Sequence, residues 1–160
     1  MARTSTSVDP FAISDRMNQL VLEQLDRRAW RAPVPGERGR TIAAIVAHMH
    51  NVRCKWIRLT APHLGVPALL DRARCTQAQA RTALARSAAR CVAMLHDPAV
   101  TSFSRDGWSG RLPAGSTMLA YMLTHDAHHR GQVCMLAHQV GCRLPTVVDA
   151  GIWAWERIGR

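Results

Sequence analysis

Residues 116–141, STMLAYMLTHDAHHRGQVCMLAHQVG, decide how this chain is read. Apolar side chains recur every three or four positions from Met118 to Val140, the spacing of one face of an α-helix. Ser116 or Thr117 can open that helix, and Gly141, which tolerates positive φ, can close it. At about 100° per residue, Met118, Met122, His129, Val133, Leu136 and Val140 share an arc of roughly 80° with His125. Two histidines are therefore expected on the buried stripe. His128 falls about 60° to one side, and Cys134 and His138 point to the far face.

Working back towards the amino end, Asp9 followed by Pro10 starts a helix that should run to about Ala29. RAPVPGERGR, residues 31–40, is a broken connection, and Thr41 can cap a second helix carrying Ile45, Met49, Val52, Trp56 and Leu59 as far as Pro62. APHLGVP is a loop. Thr76 and Gln79 form a capping box for a third, Ala/Arg-rich helix ending near His96. The Gly/Pro/Ser-rich stretch 97–115 is long for a helix connection and makes a candidate functional loop. After Pro145, a short last helix is expected from Thr146 despite Gly151. No run alternates with period two. The expected fold is all-α, an antiparallel four-helix bundle with a short C-terminal helix, one domain over residues 1–160.

Composition narrows the function classes. Five cysteines, an odd number without a CxxC pair, read as reduced thiols. The opening MARTSTSVDPFA has no apolar signal core, and no stretch approaches the roughly 20 apolar residues of a membrane span, so a soluble, cytoplasmic protein is expected. The net charge of +10 comes almost wholly from scattered arginines, Lys55 being the only lysine, with no basic tract. That pattern fits a solvated basic surface better than a phosphate-binding face, so neither nucleic acid nor membrane is the expected partner. A small-molecule substrate is.

On the second helix, His48 shares an arc with Ile45, Val52, Trp56 and Leu59, whereas His50 lies about 160° or more from most of them and should face out. Three inward imidazoles, His48, His125 and His129, would each cost a few kcal/mol if buried unpaired. Either hydrogen bonds within the core or a shared metal ion can remove that cost. Two histidines one turn apart plus a third from a facing helix make a three-nitrogen face with a coordination position left open, as in catalytic sites. Neutral imidazole suits zinc, nickel, copper or iron, with zinc and nickel the leading expectation for the divalent cofactor.

HDAHH is one methylene short of the H-E-x-x-H zinc-protease motif, which makes Asp126 a candidate acid beside the metal. No downstream G-x-x-H completes such a site. Gln132, about 20° from His125, can orient a ligand or touch substrate, and His128 is a candidate acid/base group. Trp108 and Trp153 are candidate walls of a cofactor or substrate pocket, Trp56 a core residue. Arg130 should form a salt bridge or subunit contact. Gly131, costing about 1 kcal/mol in mid-helix, suggests close approach of another backbone. Cys54 and Cys134 project away from the histidine face.

AHMHNVRCKW (47–56), HDAHHRGQ (125–132) and GIWAW (151–155) after a Leu-Pro turn together resemble the DinB superfamily, the DinB/YfiT-like metal-binding four-helix bundles. The resemblance spans the whole chain. It implies metal ligands at His48, His125 and His129, the same three selected by helical angle. It also implies thiol-dependent transferase or isomerase activity using mycothiol, bacillithiol or glutathione, and a homodimer. The alternatives are a non-catalytic metal-binding stress protein and a metal-dependent hydrolase.

Overall fold

The structure, a computed structural model, describes residues 9–34 and 39–158. Its elements are α1 (Pro10–Gln24), α2 (Ile42–Thr60), α3 (Gln77–Leu95), a hairpin of β1 (Ser102–Phe103) and β2 (Leu112–Pro113), α4 (Ser116–Gln139), α5 (Thr146–Gly151) and α6 (Trp155–Ile158). The mostly helical class expected from the sequence holds. α1 and α2 each pack on both α3 and α4.

Side-chain caps set the helix starts. Asp9 Oδ1 accepts from the amides of Phe11 (2.8 Å) and Ala12 (3.1 Å), and Thr41 Oγ1 accepts from Ala44 at 3.2 Å. Thr76 and Gln79 cap each other's backbone reciprocally, at 3.2 and 2.9 Å. Caps of this kind contribute about 1 kcal/mol each. Gly141 closes α4 at φ 75°, where Cys142 N–H reaches back to the carbonyl of Ala137 at 2.8 Å.

Three boundaries differ from the sequence expectation. α1 stops at Gln24 rather than near Ala29, because Leu25 turns extended (ψ 123°) and the Asp26 carboxylate accepts from Arg28 N–H at 2.8 Å, closing a turn. That turn seats Trp30 in the core, its Nε1 donating to the carbonyl of Cys75 at 3.0 Å. The last helix is split in two by a turn at 152–154. Gly151 has a packing reason there, since a Cβ would lie 2.6 Å from Leu20 Cδ2 on α1. The 97–115 loop folds into a small antiparallel hairpin that buries Phe103 completely.

The core has two halves. One gathers Val21, Leu22, Trp30, Ile45, Met49, Leu84 and Val133; the other gathers Phe11, Trp56, Ile57, Met94, Phe103 and Met122. α1 and α4 run from the second half to the first, α2 and α3 from the first to the second. Because α2 and α3 run the same way, the chain between them must travel back along the bundle. Residues 61–76 are this return segment, not the short loop that APHLGVP suggested. Between the two halves, every long helix contributes buried polar side chains at one height: Asp15 and Asn18 from α1, His50 and Arg53 from α2, Ser87 from α3, Asp126 and His129 from α4.

Candidate metal centre

His48 from α2 and His125 and His129 from α4 meet at the edge of this polar layer. One ring nitrogen from each lies within 4.8 Å of the other two. Ring centroids are 5.5 Å apart for His48 and His125, 4.9 Å for His48 and His129, and 4.5 Å for His125 and His129. Tetrahedral binding at about 2.0 Å places ligand nitrogens about 3.3 Å apart, so small side-chain rotations would bring all three onto one ion. Among the described residues the group has three members, with no cysteine or carboxylate as a fourth.

The electrostatics favour the neutral form of His48 and His129. Burial pushes His48 down from 6.5 to about 4, helped by His129, His125, Arg72 and Arg40. His129 is also lowered, again chiefly by burial, against an opposing hydrogen bond from Gln132. Gln132 Oε1 accepts from His129 Nδ1–H at 2.7 Å, which leaves the lone pair on Nε2. An acceptor on the remote ring nitrogen is the usual support for a metal-ligating histidine. A neutral imidazole offers one nitrogen lone pair, the kind of donor that suits a borderline divalent cation.

A family model for the DinB family matches residues 1–155. The chain belongs to the DinB family. No curated protein and no solved structure matches it. The element most specific in the sequence resemblance, H-x-x-x-H-R-G-Q, is the stretch that carries two of the clustered histidines of this DinB-family chain and the glutamine bonded to one of them.

The orientation of the helices departs from the angular reading. On α2 the buried face is centred on Val46, Met49, Arg53 and Ile57, so His48 is half-buried at its margin, and His50, expected outside, is completely buried. The return segment explains both. It covers the side of α2 that a helix wheel assigns to solvent, and His50 Nε2 donates to Ala68 O at 2.9 Å while Nδ1 meets the Ser87 hydroxyl at 3.1 Å. On α4 the buried stripe turns towards Asp126, leaving Leu136 and Val140 only partly covered and His125 at the rim.

Asp126 is drawn inside by Arg53, the main residue that the sequence reading missed. The Arg53 guanidinium, 2 % exposed, donates to Asp15 Oδ1 (2.8 Å), Asp126 Oδ2 (2.5 Å) and the carbonyl of Leu84 (3.0 Å). Burial alone would raise the Asp126 carboxyl; Arg53 outweighs it and holds the group at about 2. A carboxylate so bound is a poor base, and its Oδ1 stands 3.9 Å from His125 Nδ1, beyond hydrogen-bond reach. Asp126 thus braces α4 from within, paired to Arg53. The clue lay one turn either side of Arg53, where Met49 and Ile57 mark a core position.

Among the described residues Arg130 finds no salt bridge. It is half-buried and donates to Asn18 Oδ1 at 2.9 Å, and Asn18 Nδ2 in turn donates to Asp126 Oδ2 at 3.0 Å. His128 is exposed, its ring 4.9 Å from that of His129. Trp56 is core, as read. Trp108 packs edge-on against Trp56 (5.4 Å) and Tyr121 (5.5 Å), and Tyr121 stacks on His125 at 6.1 Å, so an aromatic wall leads from the loop to the histidines. Trp153 is 75 % exposed and joins none of these contacts. Among the described residues nothing would lie within 4 Å of a Cβ at Gly131, so no close backbone there explains that glycine. Cys54 is buried against His50, and burial pushes its thiol up to about 11, which suits a packed side chain and not a nucleophile. A cleft of about 1260 Å³ lies elsewhere, between the return segment and α3, and does not include the three histidines.

Proposed function

We propose that this DinB-family chain is a divalent-metal-dependent enzyme that transfers or isomerises through a small thiol, with His48, His125 and His129 as the ligands. The observation carrying this reading is the convergence of three imidazoles from two helices without a fourth protein ligand among the described residues. A divalent ion bound there supplies a Lewis acid that lowers the pKa of a thiol or water at its open side.

The chain's own residues do the rest. Gln132 fixes the His129 tautomer. Tyr121 and Trp108 form a flat apolar flank for the acceptor, excluding water from the reacting carbon. His128, exposed beside His129, holds the proton given up by the thiol. As the sulfur–carbon bond forms, the displaced electron pair settles on the acceptor or its leaving group, and that proton neutralises it. A homodimer belongs to the same reading, with exposed Met135, Val147 and Trp155 among the apolar side chains available to it.

The test is to load the protein with zinc or nickel and assay a panel of small thiols against electrophilic acceptors, with His129→Ala as control. Turnover with a thiol that disappears in the variant is the expected result. Hydrolysis of ester or amide substrates without any thiol-dependent turnover would reverse the assignment in favour of a hydrolase.

A further inference from the structure

Beside the histidine cluster stands a cation, Arg72, on a segment held in place from several directions. The return segment is tied to α2 by the two side chains that follow His48 and Met49. His50 donates to Ala68 O at 2.9 Å, and Asn51 both donates to the carbonyl and accepts from the amide of Leu70, each at 2.9 Å. Asp71 then builds a turn on its own carboxylate, accepting from Ala73 N–H (2.7 Å) and Arg74 N–H (3.2 Å). From the other side, Trp30 and Arg31 donate to the carbonyl of Cys75 at 3.0 and 2.6 Å. Arg72 stands in the middle of this pinned turn, and its Nη2 lies 3.4 Å from His48 Nδ1. Arg40, just ahead of the α2 cap, adds a second positive charge felt by His48 and His129.

A guanidinium only donates, so its contact with His48 Nδ1 uses the lone pair there. An imidazole that binds a cation through Nε2 carries its proton on Nδ1; one that binds through Nδ1 has no lone pair left. In either case Arg72 has to leave His48 when an ion binds. The freed side chain is then a positive group at the rim of an electrophilic site. Asp126, the acid adjoining His125, cannot neutralise it, being committed to Arg53.

We propose that Arg72 is the anion-recognition element of this site, releasing His48 on metal binding and engaging a carboxylate of the ligand. That the carboxylate belongs to the thiol or to its electrophilic partner rests on the thiol-transfer reading; the anion subsite itself does not. Planar, bidentate geometry suits Arg to a carboxylate.

Calorimetric titration of zinc-loaded protein tests this with two pairs of probes that differ chiefly in charge. The first pair is mercaptoacetate and mercaptoethanol. The second is propionate and propionamide, titrated with and without saturating mercaptoethanol. The expected result is that the anion of at least one pair binds about tenfold more tightly, the worth of a charge-assisted hydrogen bond. Preference in the first pair places the carboxylate on the thiol, and in the second on the electrophile. Arg72→Gln should abolish the preference and Arg72→Lys retain part of it. Zinc should bind Arg72→Gln more tightly than wild type when no ligand is added, since a competing donor and a positive charge have gone. Equal affinity within both pairs, a preference that survives Arg72→Gln, or zinc affinity that fails to rise in that variant would overturn the proposal. If both thiols bind alike and propionate binds no better than propionamide, thiol activation stands and the anion subsite falls. If neither thiol binds while propionate binds through Arg72, the reverse holds.

Discussion

Gln132 and Arg53 each act on the histidine cluster through another residue, one from the open side and one from inside the core. Gln132 holds His129 in the tautomer that leaves Nε2 available. Replacing it with Leu should weaken zinc binding about 10- to 100-fold, the usual consequence of losing such a partner, measured by competition with a chromophoric chelator. Unchanged affinity would show that the tautomer is set by the ion alone. Arg53 neutralises two buried carboxylates at once. Arg53→Met leaves both without their cation, and urea unfolding should show a loss of about 3–5 kcal/mol. A variant as stable as wild type would mean that Asp15 and Asp126 take up protons without penalty. Gln132 was legible from its position beside His125 on the helix; Arg53 was not singled out, because an arginine on a helix is ordinarily a surface residue.

Among the elements, α4 was the easiest to read and α2 the most misleading. The stretch 116–139 has core neighbours on one side only, so its spacing predicts its existence, length and closing glycine. Its lack of a packing reason at Gly131 leads to a direct expectation: Gly131→Ala should stabilise the protein by about 1 kcal/mol, seen as a higher midpoint in denaturant with the slope unchanged. A loss of stability would mean that a ligand, partner or subunit occupies the space beside that position. α2 is covered by α3, by α4 and by the return segment, and buries residues over more than half its circumference. An amphipathic wheel presumes one covered side. For α2 that premise fails: His50, expected outside, is buried, while His48, expected inside, sits half-buried at the margin and still meets the expected neighbours.

For the whole molecule, titration of the buried imidazoles links stability to pH. His48 is depressed from 6.5 to about 4 in the folded chain, and His50 and His129 are lowered as well, chiefly by burial. Between about pH 6.5 and pH 4 the unfolded chain therefore binds more protons than the folded one, and stability falls as the pH drops through that window. Asp126 adds a second loss at lower pH, as its carboxylate, held at about 2 against an ordinary 3.8, is protonated first in the unfolded chain. Thermal melts of metal-free protein from pH 7.5 to 4 should show a falling midpoint. Zinc should raise the midpoint at pH 7 and lose this effect towards pH 4, because protons compete for the same lone pairs. A flat profile, or one that falls at higher pH, would contradict the depressed imidazoles. None of the helices is long and apolar enough to cross a membrane among the described residues.

Local information sufficed for the helical class, the caps at Asp9, Thr41 and Thr76, the glycine that ends α4, and the placing of His125 and His129 one turn apart, since each depends on side chains within a turn or two of one another. The course of residues 61–76 did not follow from it. That segment has no period of its own, and only the parallel run of α2 and α3 forces it back along the bundle. Its passage buries His50, presents Arg72 to His48 and decides which side of the cluster stays open. Those outcomes depend on contacts between residues far apart in the chain, and such contacts are settled by packing rather than by spacing.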